Sequence, residues 1–323
     1  MKKNISAVLA ALLLVSLCAC GRGSGNATHS LEIVTTIFPV YDWARQVTGD
    51  ESDVGITMLL DSGVDLHSYQ PTAQDILKIA GCDLFIYEGG ESDAWVKDAL
   101  AEATNKNMIV LNLMEELGEL AKEEELTEGM EAHDQEHDEE ETEYDEHIWL
   151  SLRNAAFLTD RIAAALAKLD PTHEAAYRAH AEAYGNKLKE LDQRYVQAVA
   201  EGKVHTLLFG DRFPFRYLTD DYGLGYYAAF SGCSAETEAS FETVTFLAAK
   251  VDELGLEAVM TIEGTDHRIA QTIVQNTRTK DQRILTLDSL QSVTARDVQN
   301  GATYLSIMEK NLEVLREALS RQG

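Results

Sequence analysis

Four short segments carry the residues whose types and placement can do chemistry. They are "DSGVDLHSYQPT" with His67, "DEHIWL" with His147, "DRFPF" with Asp211 and Arg212, and "EGTDH" with Glu263, Asp266 and His267. Two imidazoles with one or two carboxylates make a site for a divalent cation, because both groups offer it lone pairs. Each residue also has a plainer reading. A loop histidine can be a solvated side chain or a hydrogen-bond donor. Asp211 can pair with Arg212 or cap a helix, and Glu263 can be an ordinary loop carboxylate. Position favours the metal: three of the four segments follow a predicted strand.

The elements that must position these segments alternate. "LEIVTTI" reads as a strand and "FPVYDWARQVTG" as a helix with Tyr41, Trp43, Ala44 and Val47 on its inner side. "DVGITMLL" is a second strand. "TAQDILKIAG" is a helix that Thr72 can cap, "CDLFIYEG" a third strand, "SDAWVKDALAEAT" a helix and "NMIVLNL" a fourth strand. After two helical stretches the alternation resumes with "KVHTLLFG" and continues to a closing helix in "GATYLSIMEKNLEVLREAL". Short connections between alternating strands and helices imply parallel sheets covered on both faces. The stretch after Pro171 stays helical for about thirty residues, about 45 Å at 1.5 Å per residue, long enough to bridge two lobes. The expected fold class is therefore α/β: two lobes, each a parallel sheet flanked by helices, joined by one long rigid helix. The expected division is residues 31–170, the linking helix 171–201, and residues 202–323. In open α/β sheets ligands collect at the carboxyl ends of strands. If the lobes face each other, the four segments converge on one cleft.

Charge narrows the partners. The 323 residues carry a formal net charge of −28, and residues 115–147 hold seventeen acids against one lysine, so −16 of it sits there. No cluster of Lys and Arg is present, which argues against nucleic acid as a partner. A run this acidic repels itself, and residues 119–146 are expected to form a floppy loop. It contains His133 and His137, which beside a cleft make a weak collector of cations; the plain alternative is a solvated spacer. At the other end, "MKK", the apolar "ISAVLAALLLVSL" and then "LCAC" resemble a lipoprotein signal over residues 1–20, with Cys20 left as the acylated end and 21–30 as a polar tether. The plain alternative is a secretory signal cut elsewhere. No further apolar run of spanning length follows, so the mature chain is expected to be tethered by its lipid and to act as a monomer. Cys82 and Cys233 are expected as two separate buried thiols, with one disulfide between them as the alternative.

With these residues in view, the chain resembles the metal-binding lipoproteins of ABC importers for zinc and manganese, the ZnuA-like substrate-binding proteins. "GVDLHSYQPTAQDI" is similar to that family's first ligand loop, "DEHIWLSLRNA" to its second, and "FPFRYLTDDYGL" to the segment after its third. An acidic, histidine-containing insert before the second loop is also a feature of the zinc members. The resemblance implies a receptor outside the cytoplasm that captures Zn2+, or less readily Mn2+, between two lobes and delivers it to the importer's permease, without catalysis. It implies His67 and His147 as ligands, with Asp211 and Glu263 completing the set and Asp266 or His267 as substitutes for Glu263. It also implies release by loop shifts rather than wide hinge opening. Binding should weaken in acid, since only a neutral imidazole ligates. Two departures stand out. The family's third-ligand position is Arg212, which stays protonated and only donates, so either neighbouring Asp211 takes its place or the site has one ligand fewer and a water. The Asp that follows the family's second motif is Ser151.

Two rival readings carry different chemistry. "HDQEH" over His133, Glu136 and His137 matches the H-x-x-E-H pattern of zinc peptidases, although its flanks offer no apolar face to seat a helix. Alternatively Tyr69, Trp149 and Tyr217 line an apolar pocket for a small organic ligand or an iron chelate.

Overall fold

The computed structural model describes residues 30–49, 53–131, 143–234, 238–264 and 266–321. It contains two four-stranded parallel sheets. In the first lobe, β1 (Leu31–Thr35), β2 (Val54–Met58), β3 (Leu84–Tyr87) and β4 (Ile109–Asn112) lie in the order β2-β1-β3-β4. In the second, β5 (Thr206–Phe213), β6 (Gly225–Ser231), β7 (Ala258–Ile262) and β8 (Arg283–Leu287) lie in the equivalent order β6-β5-β7-β8. The inner strands read as near-continuous apolar runs because helices cover both of their faces. Leu84, Phe85 and Ile86, and likewise Leu207, Leu208 and Phe209, are buried without alternation. In each sheet the chain steps one way from the first strand to the second, then crosses back to the other side for the third. That reversal opens a crevice at the carboxyl ends of β1 and β3, and of β5 and β7.

The expected architecture is therefore present, with the connecting helix at Glu174–Glu201, about 42 Å of rigid rod. Its start slips from residue 171 to 174. Asp170 ends the preceding helix Leu152–Leu169 and collects Thr172 N, His173 Nδ1 and Tyr177 Oη, at 3.2, 2.5 and 3.0 Å. One stripe of the long helix, Tyr177, Ala181, Tyr184, Leu188, Leu191, Tyr195 and Ala198, recurs every three or four residues and is buried.

One apolar core runs from one lobe into the other, and a second, around Leu208, Leu247 and Val259, stays within the second lobe. Trp149, completely buried, donates its indole N–H to Ser289 O of the second lobe at 2.8 Å. The closing helix Tyr304–Leu319 starts against the first lobe. Its Tyr304 amide donates to Asp42 at 3.0 Å, its hydroxyl donates to Trp149 O at 2.6 Å, and its ring meets Trp43 edge-on at 5.3 Å.

Local signals explain the element ends. Thr72 and Asp75 form a reciprocal capping box at the head of the helix Ala73–Gly81. Ser151, where the family pattern has Asp, caps the helix Leu152–Leu169 by accepting from Asn154 N at 3.0 Å, and donates to Asp221 at 2.5 Å. A short hydroxyl suits both tasks, which explains that departure.

The acidic run differs from its expectation. Both of its arms are held rather than floppy. Glu123 and Tyr144 form an antiparallel bridge, Glu124 N donates to Glu143 O at 3.0 Å, and Asp145 N donates to Lys122 O at 2.8 Å. Tyr217 clamps this pair, accepting from Lys122 N at 3.0 Å and donating to Asp145 O at 2.9 Å. Farther out, Glu131 bridges to Phe230 on the edge strand β6. Backbone amides pair inward while most carboxylates face solvent, so charge repulsion along the run does not prevent order in its arms. His133, Glu136 and His137 lie outside the described residues.

Candidate metal centre

The cleft between the lobes has a volume of about 710 Å³ and is walled by residues from both. Three first-lobe segments build one side. The loop after β2 ends in a 3₁₀ turn, Leu66–Ser68, capped by Asp65, whose Oδ1 accepts from His67 N at 3.0 Å. Leu66 is buried and anchors the turn, leaving the next side chain to enter the cleft. The loop after β3 supplies Ser92. The third segment is the end of the acidic run, where Ile148, Trp149 and Leu150 sink into the core and fix His147 at its rim.

The two imidazoles meet. His67 Nε2 and His147 Nε2 are 3.3 Å apart, with ring centroids 5.3 Å apart and planes inclined by 60°. Each ring is held from behind. His147 Nδ1 lies 3.0 Å from Asp145 Oδ1, which also accepts His147 N at 2.8 Å. His67 Nδ1 lies 2.7 Å from Ser92 Oγ and 3.7 Å from Glu146 Oε2. A carboxylate only accepts, so the hydrogen between Asp145 and His147 belongs to Nδ1. His147 Nε2 is then left with its lone pair toward His67. Carboxylate-backed imidazoles of this kind are how proteins orient metal ligands. The separation also fits, since two zinc–nitrogen bonds of about 2.05 Å at a tetrahedral angle span about 3.35 Å.

A third ligand atom joins them from the second lobe. Cys233 Sγ, His67 and His147 offer donor atoms that all lie within 4.8 Å of one another. Among the described residues this is the only group of three or more such side chains. Cys82 and Cys233 are both free thiols, but only Cys82 is buried as expected, and Cys233 is half-buried. Cys82 is buried against Ile79 O, and burial pushes its thiol up to about 12. Cys233 lines the cleft. Burial, with the carboxylates of Glu146, Asp145 and Glu124 nearby, holds its thiol well above the ordinary range.

The carboxylates named from sequence are placed otherwise. Asp211 and Arg212 are not in a loop, because β5 continues to Phe213. Asp211 is in the cleft wall, and its carboxylate accepts from Arg212 N at 2.9 Å and from Ile262 N at 3.3 Å. Arg212 reaches across the cleft to Asp65, Nη2 to Oδ2 at 2.6 Å, and donates to Ser234 O at 3.3 Å. Glu263 faces the turn after β8, accepting Ser289 N and Ser289 Oγ at 2.7 Å each and Ser292 Oγ at 3.2 Å. It does not line the cleft. Asp266 and His267 stand at the mouth, where Asp266 pairs with Arg268 and His267 holds φ +57° ahead of the helix Arg268–Asn276. Neither belongs to the convergent group.

The aromatic-pocket expectation is corrected. Trp149 and Tyr217 are spent on core packing and backbone bonds, Tyr69 packs on Trp95, and none of the three lines the cleft.

Behind the imidazoles lie three buried acids. Glu88 accepts Thr36 Oγ1 at 2.5 Å, Asp93 accepts Gly89 N at 3.0 Å, and Glu146 accepts Ser92 N at 2.8 Å. Burial raises all three, Asp93 to about 7, and each has one oxygen without a hydrogen-bond partner. Gly90, at φ +87°, makes room for Glu146, since a Cβ there would stand 2.4 Å from Glu146 Oε1.

Comparison with known proteins gives consistent results. A family described as the zinc-uptake complex component A, periplasmic, matches residues 33–318. The zinc-binding lipoprotein AdcA of Streptococcus pneumoniae is 31% identical over 323 residues, 99% of this chain and 62% of AdcA, so the chain spans under two thirds of that relative's length. The high-affinity zinc uptake system protein ZnuA of Bacillus subtilis is 28% identical over 322 residues, covering 97% of this chain and 96% of that protein. The crystal structure of the Zn(II)-bound ZnuA-like domain of S. pneumoniae AdcA superposes with a TM-score of 0.72 at 28% identity, over 90% of this chain and 99% of that domain.

Proposed function

The chain belongs to this zinc-uptake component A family, and from that premise we propose that it is the extracytoplasmic receptor of an ABC importer, capturing Zn2+ between its lobes and delivering it to a permease. The observation that carries the reading is the facing pair His67 Nε2 and His147 Nε2 at 3.3 Å, each imidazole held from behind at Nδ1. Mn2+ is the weaker alternative cargo, because imidazole ligands suit zinc better than manganese. Asp211, at the cleft wall, remains the candidate for a water-mediated contact to the ion. The residues 1–20 act as a lipoprotein signal, Cys20 takes the lipid, and 21–30 form the tether. Among the described residues no helix is long and apolar enough to cross a membrane, and the AdcA relative is named a lipoprotein. The lobes 31–170 and 202–323 with the linker 171–201, helical from Glu174, are the working units, and His133 and His137 in the acidic run collect cations for the site. The role is binding and hand-over, and it calls for no chemical step.

Equilibrium zinc binding by competition with a chromophoric chelator tests this. Wild-type protein should take up one ion tightly, and His67→Ala or His147→Ala should each weaken it by at least about 100-fold, more than outer contacts cost. Unchanged affinity in both variants overturns the reading.

A further inference from the structure

Zinc capture by two imidazoles leaves the rest of the coordination shell to be assigned. The carboxylates expected to fill it are engaged elsewhere, Asp211 by two backbone amides and Glu263 by Ser289 and Ser292. Arg212, at the position resembling the family's third ligand, is a cation held by Asp65. The atom that does converge is Cys233 Sγ.

Its placement is built in. Strand β6 ends at Ser231, and the chain turns at once, with Ser234 N donating to Ser231 O at 3.3 Å. Gly232 is the hinge of that turn against the site. A Cβ there would stand 2.8 Å from His147 Cε1 and 3.0 Å from Phe213 O. Only glycine lets the turn lie flat on the imidazole, and the next side chain is then delivered beside it. Arg212 Nη1 secures the far end by donating to Ser234 O. The side chain so delivered is a free thiol in the cleft.

Building on the zinc-receptor reading, we propose that Cys233 is the third ligand to the ion, so that the site is His2Cys with its fourth position open to water or a nearby acid. Two imidazoles and one thiolate in a tetrahedral arrangement are a zinc donor set. A thiolate is soft and prefers Zn2+ to Mn2+, whereas a carboxylate in its place suits manganese. Cys233 therefore selects the cargo: thiophilic divalent cations enter and hard ones are refused. The plain alternative is a small half-buried side chain that only fills the turn.

Cobalt(II) titrated into the full chain under reducing conditions decides between these, because thiolate–cobalt charge transfer gives a near-ultraviolet band that nitrogen and oxygen ligands do not. The expected result is that band in wild type, lost in Cys233→Ser while visible d–d absorption persists. Zinc affinity should fall by at least about 100-fold in the variant, more than an outer contact costs, and the preference for zinc over manganese should shrink with it. Stoichiometric cobalt binding that requires His67 and His147 but shows no such band in wild type overturns the thiolate assignment and leaves the receptor reading standing. Wild-type protein that binds neither cobalt nor zinc overturns the receptor reading itself. Should Cys233→Ser melt below the metal-free wild type, the wild-type spectrum alone decides.

Discussion

The two walls of the cleft are built on opposite plans. The first lobe presents two imidazoles, each anchored by a fully buried neighbour and held at Nδ1 by a second side chain. The second lobe presents a short turn, an arginine and an aspartate, and its polar groups are fastened mainly to backbone. On the proposed reading, one wall would fix where the ion sits and the other which ion is accepted. The lobes share the same strand order, so the difference lies in the loops at the strand ends.

If the first wall sets geometry, removing its support should cost more than loosening the second wall. Asp145→Asn leaves shape nearly unchanged but weakens the acceptor behind His147. Zinc affinity should fall about 10- to 100-fold, the usual effect of an altered outer partner, measured by chelator competition. A smaller loss than for Arg212→Ala would break the comparison.

The buried acids behind that wall give the next effect. Asp93 is raised to about 7 in the folded chain, against about 4 in an unfolded one. Between those values the folded state holds the extra proton, so its contribution is present below about pH 4 and lost as pH rises through about 7. Asp93→Asn removes that loss. A tenfold change in proton affinity is worth about 1.4 kcal/mol, and the neighbouring acids share the shift. The variant should therefore gain on the order of 1–2 kcal/mol at pH 8 and little at pH 4, read from urea unfolding at both. An equal effect at both pH values would remove the acid from the account.

The smallest effect should come from the second wall. Arg212→Ala removes the pair with Asp65 that crosses the cleft. Both partners are partly exposed, and such pairs contribute about 0–1 kcal/mol. Zinc release in stopped flow should quicken only a few-fold with geometry intact. A loss comparable to that of His147→Ala would make Arg212 part of the site's foundation.

Much of this is legible in the residues. Apolar runs alternating with amphipathic stretches indicate the parallel sheets, and the loop position of His67 and His147, in segments that resemble the family's ligand loops, points to both imidazoles. The failures have physical causes. Asp211 and Arg212 read as a loop because "GDR" interrupts the apolar run, yet after a shift in register the pairing with β6 resumes at Arg212 and Phe213. Glu263 looks available because nothing in its own segment shows that Ser289 will stand opposite. Cys233 reads only as a buried thiol, although a polar group just past a strand also describes "SGCS" after β6; a lone cysteine has no spacing partner that marks it as a ligand. The held arms of the acidic run depend on backbone amides and one distant tyrosine, which composition does not encode.

The apolar core that passes unbroken between the lobes has a consequence for unloading. Prising the halves apart would strip Trp149 from Ser289 and Tyr304 from Asp42 and Trp43, and wet the surface between them at about 25 cal/mol per Å². On the proposed receptor reading, a docked permease would gain more by tugging on the few residues at the rim. Discharge would then be a local event, like a latch lifted on a box whose frame never bends.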